Sequence, residues 1–277
     1  MSVTISALVI ARNEADMIAN CVDSLRWCDE VIVVDNNSTD TTADLALHAG
    51  ARVVKAKGSF AELRNEALRR AKTDWVIYID ADERVVPALA DEVRSVIERS
   101  EPSAGAAAYV AYSVRRSNVL YGQPMYHGGW QYDQVVRLFE RSKLKTWAGE
   151  IHEHADVMGS VGALSQPLLH LTHRSVISGL RKTIEWTPIE AQLLWEAGAP
   201  KVKLATLLRK GVMEVFRRAI RDQGYRDGLA GWIEALIQGM NRLLVYIQLW
   251  ELQQKPSLSE RYRRHEELVA QLWRKQR

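Results

Sequence analysis

The run Val76-Ile77-Tyr78-Ile79-Asp80-Ala81-Asp82-Glu83 delivers two carboxylates, two positions apart, to the end of a stretch of β-formers. Alternate residues of a strand point the same way, and a strand tip is rigid. Asp80 and Asp82 are therefore expected to face one spot beyond a sheet edge. Two hard oxygen donors held in this way suit Mg2+ or Mn2+, the ions that usually accompany substrate phosphates. An Asp-rich turn closing a strand would carry the same residues without binding anything. Taken alone, the pair leaves both readings open.

The elements that must position this pair alternate between strand and helix signals. Val3–Ala11 is apolar and β-branched, Glu14–Arg26 has helical spacing, and Glu30–Asp35 is an apolar run between acidic ends. Ser38 or Thr39 is placed to cap a helix that ends near Gly50. Val53-Val54 is a short strand, Phe60–Ala71 a helix, Trp75–Ile79 a strand and Pro87–Glu98 a helix. Continuous apolar strands separated by helices predict an α/β fold, with a mostly parallel sheet covered on both faces. Ligands of such sheets sit beyond the carboxyl ends of the strands. Polar residues gather at those ends: Arg12-Asn13-Glu14, then Asp35 through Asp40, then Asp80 through Glu83. Any one of these loops reads as a cap or turn, but the coincidence of three points to a crevice.

Other nucleotide folds lack their signatures. No GxGxxG follows the first strand and no GxxxxGK[ST] is present, which sets aside dinucleotide-binding and P-loop enzymes. With 277 residues, 47% hydrophobic and 26% charged, the chain has the composition of a globular protein. Cys21 and Cys28 are too few for a disulfide framework; seven apart, they read as core residues on one helix face. The start lacks the pattern of a secretory signal, so a reducing cytoplasm is expected.

Beyond residue 100, Ala106–Arg115 and Gln134–Glu140 read as strands around an aromatic, Gly-rich loop, residues 121–130. Trp147–His154 carries Glu150, His152, Glu153 and His154. From Ser175 the signals are helical, with Pro188, Pro200 and Pro256 punctuating four helices, so a boundary is placed near 175: residues 1–175 form one domain and 176–277 an α-helical C-terminal extension. Residues 171–277 carry 19 Lys+Arg against 11 Asp+Glu, a balance of +8, whereas the remainder balances at −5. The basic part also holds Trp186, Trp195, Trp232, Trp250 and Trp273. Cationic, Trp-bearing helices suit the surface of an anionic membrane. A solvated face with Trp in a core, or a homo-oligomer contact, fits the same pattern. Leu229–Leu252 is interrupted by Glu234, Arg242 and Glu251, so it reads as a surface or packed helix rather than a span. No feature calls for a nucleic-acid partner.

Together these residues resemble glycosyltransferase family 2 enzymes of the GT-A fold. The resemblance rests on residues 5–14, on Val31–Thr42 with its Val-Val-Asp-Asn-Asn-Ser-Thr-Asp-Thr-Thr, on Arg64-Asn65-Glu66-Ala67 and on the Asp-x-Asp element. Trp130–Phe139, Ile151-His152-Glu153 and Gly224-Tyr225-Arg226-Asp227-Gly228 are similar to the bacterial lipopolysaccharide-core glucosyltransferase-like branch.

The resemblance implies a Rossmann-like sheet and metal-dependent, inverting transfer of a sugar from a nucleotide-sugar, a UDP-sugar, to a saccharide acceptor, lipid-linked or part of the lipopolysaccharide core. It implies that Ala11, Arg12, Glu14 and Asp35 line the nucleoside end, with Ala81 beside Asp80. Arg64 would meet the base or the diphosphate, unless it is a surface helix charge. Asp80 would touch ribose or metal, and Asp82 the metal, with His173 or His152 as a third ligand. Glu153 is the implied base, with Glu150 and Asp133 as alternatives, since the family's Glu-Asp pair is missing here. Trp130 and Tyr132 would stack on the acceptor sugar or sit in a core. The alternatives are a peptide or protein glycosyltransferase, a nucleotidyltransferase, and an inactive scaffold at the membrane surface. The expected place of action is the cytoplasm, peripheral to the inner face of the cytoplasmic membrane.

Overall fold

A computed structural model describes residues 2–98, 109–149 and 154–275. It divides into two compact units: Met1–Pro124 with Trp130–Thr172, and Met125–Gly129 with His173–Arg277. The expected boundary near 175 compares with a division between Thr172 and His173, and the loop 125–129 groups with the helices.

The first unit is built on strands β1 (Ile5–Ala11), β2 (Glu30–Asp35), β3 (Arg52–Lys55) and β4 (Trp75–Asp80). They lie in the order β3-β2-β1-β4, all parallel. Helices α1 (Ile18–Asp23), α2 (Thr42–His48), α3 (Phe60–Arg70) and α4 (Pro87–Glu98) cover this sheet. Alternation along β1 assigns the two faces. Ile5, Ala7, Val9 and Ala11 pack with residues of α1 and α4, whereas Leu8 and Ile10 pack with Ala61, Leu63 and Ala67 of α3. Every residue of β1 is buried, which is why it reads as an unbroken apolar run.

The sheet continues through short β5 (Glu83–Arg84), long β6 (Tyr109–Leu120), β7 (Gln123–Met125) and β8 (Gln134–Glu140). A hairpin pairs β9 (Leu144–Ala148) with β10 (His154–Val157), followed by β11 (Ser160–Ala163) and β12 (Leu168–Leu171). Strand β8 runs antiparallel between β4 and β6, and β12 runs parallel to the far half of β6 and antiparallel to β5. This is the expected mostly parallel α/β sheet flanked by helices. The expected strand at 106–115 falls partly outside the described residues, and the observed one extends to Leu120.

Two local expectations change. The helix expected over 14–26 shrinks to Ile18–Asp23, because Glu14 accepts from Met17 and Ile18 in a turn before it. Cys21 and Cys28 therefore do not share a helix, although Cys21 is fully buried in the core and Cys28 packs against it. Burial pushes the Cys21 thiol up to about 12. The helix near 40 starts at Thr42, and neither Ser38 nor Thr39 caps it.

The second unit holds α5 (Val176–Glu196), α6 (Leu204–Phe216), α7 (Gly228–Leu252) and α8 (Leu258–Lys275), with a π-helical turn at Arg217–Arg221. Pro188 does not end α5, which continues to Glu196. The small apolar cluster here is Ala191, Val202, Val245 and Leu249. None of the five tryptophans joins it: Trp186, Trp195, Trp232, Trp250 and Trp273 are 37–66% exposed. Leu204, Leu208, Val212 and Phe216 form an i, i+4 row along α6, each more than half exposed. No described helix is long and apolar enough to cross a membrane.

Candidate active site

Loops at the carboxyl ends of β1 and β2 are stitched to each other. Asn13, at φ 54°, accepts at Oδ1 from the Thr39 N–H (2.8 Å), and its own N–H donates to Ser38 Oγ (3.0 Å). The Glu14 N–H donates to Thr42 Oγ1 (2.8 Å), and the Ala11 carbonyl accepts from Asn36 N–H. Arg12 is exposed beside them. Most polar residues of these loops are thus used in holding the loops. Asp35 differs. It is 2% exposed; one carboxylate oxygen accepts from Ser38 N–H (3.3 Å), and the other is buried with no partner among the described residues. A buried acceptor without a donor is costly in a folded chain. At this end of the sheet it is the group a nucleobase N–H or a ribose hydroxyl would satisfy.

Helix α3 places the next residues. Its start is a capping box: Ser59 Oγ accepts from Glu62 N–H, while the Glu62 carboxylate accepts from Ser59 N–H at 2.7 Å. One turn on, Arg64 is 5% exposed, which discards the reading as a surface helix charge. Its guanidinium lies 4.6 Å from the Trp147 ring centroid and 5.6 Å from that of Tyr78, and its Nη2 donates to Asp80 Oδ1 (3.3 Å). Asn65 binds both backbone groups of Trp147 (2.8 and 2.9 Å), pinning β9 to α3.

Asp80 and Asp82 receive different surroundings. Strand β4 ends at Asp80, so the alternation that would aim both at one spot stops there. Asp80 lies between Arg64 and Arg137, and Arg137 Nη2 also donates to Glu83 Oε1 (2.7 Å). Glu83 in turn accepts the Asp80 N–H (2.9 Å) and faces Arg116 (3.4 Å). Burial alone would push the Asp80 carboxyl up, but Arg137 and Arg64 outweigh it and hold it well below the usual carboxylate range. Glu83, fully buried, is pushed up by burial in spite of Arg137. The Ala81 side chain is buried in the core below the turn.

Asp82 lies in that turn, its carboxylate 3.6 Å from His170 Nε2. The orientation of His170 follows from its neighbours. Asp133 needs donors, so the Asn118 amide turns its Nδ2 to Asp133 (3.0 Å) and its Oδ1 to His170 Nδ1 (2.6 Å). Nδ1 then donates to Asn118, and Nε2 is the nitrogen that faces the Asp82 carboxylate. An imidazole whose other nitrogen donates to a carbonyl is oriented as metal-binding histidines are, and the carboxylate 3.6 Å from Nε2 adds a hard oxygen donor. No cluster of three potential ligands exists among the described residues. Mg2+ and Mn2+ need only one or two protein ligands when diphosphate oxygens complete the shell, so this donor set fits.

The other expected residues fall as follows. Asp133 is clamped by Arg116 through two hydrogen bonds (2.9 and 2.8 Å) and by Asn118, so three of its about four acceptor positions are taken. This makes it a holder of Arg116 rather than an open base. His173 belongs to the helical unit, where Nδ1 lies 3.4 Å from Glu234 Oε2. Trp130 and Tyr132 form a short 3-10 turn after the Gly-rich loop, and Tyr132 is 73% exposed, so it is no core residue. Glu150, His152 and Glu153 lie outside the described residues.

Arg64, Asp80, Arg116, Arg137, Trp147 and His154 line a cavity of about 710 Å³, well within the ~300–1,000 Å³ common for small-molecule sites. Three guanidinium groups on its wall suit phosphate oxygens. Sequence reasoning missed Glu83, Arg116, Asn118, Arg137 and His170 as site residues. The available signal was an Arg inside Val-Val-Arg-Leu-Phe and a His inside Leu-Leu-His-Leu, polar groups in strands that must bury them.

A family model described as glycosyl transferase family 2 matches residues 6–158. A lipopolysaccharide core biosynthesis glycosyltransferase, LpsC of Rhizobium meliloti, is 26% identical over 267 residues, covering 92% of this chain and 96% of that protein. An uncharacterized glycosyltransferase of Rickettsia typhi is 27% identical, covering 91% of this chain and 88% of that protein. Among solved structures, glucosyl-3-phosphoglycerate synthase from Mycobacterium tuberculosis, in complex with Mn2+, UDP and phosphoglyceric acid, is 18% identical with a TM-score of 0.43, over 72% of this chain and 80% of that one. With the family model matching more than half of its length, the chain belongs to glycosyltransferase family 2.

Proposed function

We propose that the protein is a metal-dependent, inverting glycosyltransferase that moves a sugar from a UDP-sugar to a saccharide acceptor, lipid-linked or part of the lipopolysaccharide core. The observation that carries this reading is the Asp82–His170 pair, a carboxylate oxygen just past the end of β4 that lies 3.6 Å from an imidazole nitrogen. Asp35 would supply the nucleoside with the carboxylate oxygen that has no partner among the described residues, with Ala11, Arg12 and Glu14 along the same loop. Asp82 and His170 would hold Mg2+ or Mn2+, which would neutralise charge developing on the leaving diphosphate. Arg64 and Arg137 keep Asp80 ionised and aligned, and present cationic edges to phosphate oxygens.

Inversion needs one displacement, with a base taking the acceptor hydroxyl's proton on the face opposite the leaving group. Glu153 is proposed for that role, with Glu150 as its alternate. The exposed Tyr132 and its neighbour Trp130 offer aromatic faces to an acceptor sugar.

The lipid side of the acceptor is suggested by the helical unit. The exposed row Leu204, Leu208, Val212 and Phe216 has Lys201, Lys203, Arg209 and Lys210 beside it in the sequence. Exposed apolar side chains on a basic helical segment match an anionic membrane surface, here the inner face of the cytoplasmic membrane.

A thermal-shift panel of UDP-, GDP- and ADP-sugars, each with and without Mn2+, tests the donor reading. Stabilisation by a UDP-sugar that needs Mn2+ is expected. A panel with no shift overturns the reading.

A further inference from the structure

The helical unit holds a second polar cavity, of about 280 Å³, among α5, α6 and α7. Facing positions of packed helices are ordinarily apolar. Here they include Thr183, Thr187, Glu190, Gln238, Asn241 and Arg242. Most of these hold one another. Thr183 Oγ1 donates to Asn241 Oδ1 (2.8 Å), Arg242 Nη1 donates to Glu190 Oε1 (2.5 Å), and Arg218 Nε donates to Glu214 Oε1 (2.8 Å).

Thr187 does not follow the pattern. It is 5% exposed, lines the cavity, and its hydroxyl has no partner among the described residues. A buried threonine in a helix ordinarily bonds back to the carbonyl four residues earlier. A hydroxyl that forgoes this inside a cavity is a donor and acceptor awaiting a ligand. Trp186, the preceding residue, also lines the cavity and is 38% exposed.

Those features narrow the ligand. Glu190 is paired with Arg242 and Glu214 with Arg218, so their charges are met within the wall and call for no counter-charge on a ligand, and the cations, Lys182 among them, disfavour a metal ion. A polar wall that both donates and accepts, with an indole beside it, suits a sugar: its hydroxyls do both, and its C–H face packs on an aromatic ring. The volume suits a single ring.

We propose that this cavity is a saccharide-binding pocket that takes one uncharged pyranose ring. The choice of a sugar as ligand rests on the glycosyltransferase reading above, with the ring being part of the acceptor glycan. The site itself stands on the geometry of α5, α6 and α7.

The test uses the full-length chain without nucleotide-sugar, titrated with methyl glucoside, methyl galactoside and methyl mannoside. Binding is read by tryptophan fluorescence and by saturation-transfer NMR. At least one sugar is expected to saturate with a dissociation constant on the order of 1 mM. Trp186→Phe should lose the fluorescence change. Thr187→Val should weaken binding roughly tenfold, as loss of one hydrogen bond does, without lowering the melting temperature. The proposal is overturned if none of the three sugars saturates, or if Thr187→Val melts lower with unchanged affinity, which would make the hydroxyl a structural group. Sugar binding that fails while a UDP-sugar still stabilises the chain sinks only this pocket. The reverse outcome sinks the donor reading and leaves the pocket standing.

Discussion

Replacing Arg137 by Met should destabilise the first unit more than any change on its surface. Arg137 is 4% exposed, and one of its nitrogens bonds to Asp80 and to Glu83, the latter fully buried. Met keeps the length of the stem and removes the charge. Asp80 then retains Arg64 at 3.3 Å and Glu83 retains Arg116 at 3.4 Å, both at the long end of ion pairing. Breaking a buried ion pair from one side costs about 3–5 kcal/mol, which for a unit of this size lowers the melting temperature by roughly 6–20 °C.

The pH dependence gives a second readout. Glu83 already titrates above its ordinary value, chiefly through burial, and losing Arg137 raises it further. A group whose folded pKa is raised contributes stability that is complete below the unfolded value of about 4.3 and is lost as pH rises through the folded value. The cost of Arg137→Met should therefore be smaller at pH 5 than at pH 7.5. Adding Glu83→Gln should restore part of the stability at pH 7.5, since it removes the unpaired charge. Urea denaturation at both pH values measures these differences. A cost below about 1 kcal/mol, the range of a surface pair, together with no rescue by Glu83→Gln, would refute the reasoning.

Two further outcomes are expected. Glu153→Gln should keep UDP-sugar and Mn2+ binding while lowering turnover by about 10²–10⁴-fold, as loss of a positioned base does; near-normal turnover in a coupled assay would move the role to Glu150. Leu208→Glu with Val212→Glu should abolish sedimentation with anionic vesicles and leave the melting temperature unchanged, because both side chains are 60–65% exposed. A wild-type chain that ignores vesicles but sediments as a dimer would assign that row to a second copy instead.

The parallel half of the sheet is legible in the sequence because each of its elements announces itself locally. The unbroken apolar run of β1 and the carboxylate at the end of β2 both lie within a few residues of their own signals. Arg64 could be named but not settled, since only the fold brings Trp147 and Tyr78 around it. The residues missed are those whose partners are remote. Arg137 meets Asp80 and Glu83 across 57 and 54 residues, and His170 meets Asn118 across 52. No local pattern encodes a pairing formed when β8 and β12 insert into the sheet. The Asp80–Asp82 spacing is limited as a signal for a related reason: strand alternation holds only while the strand lasts, and it ends at Asp80.

In the proposed reaction Asp82, facing His170, would anchor a metal-bound UDP-sugar. The most direct test of this role repeats the thermal-shift panel on wild-type and Asp82→Asn chains, with calorimetry of UDP binding in the presence and absence of Mn2+. Mn2+-dependent binding is expected of the wild type, with its loss in Asp82→Asn and unchanged circular dichroism in the variant. Equal Mn2+-dependent affinity for UDP in the two chains would contradict this role.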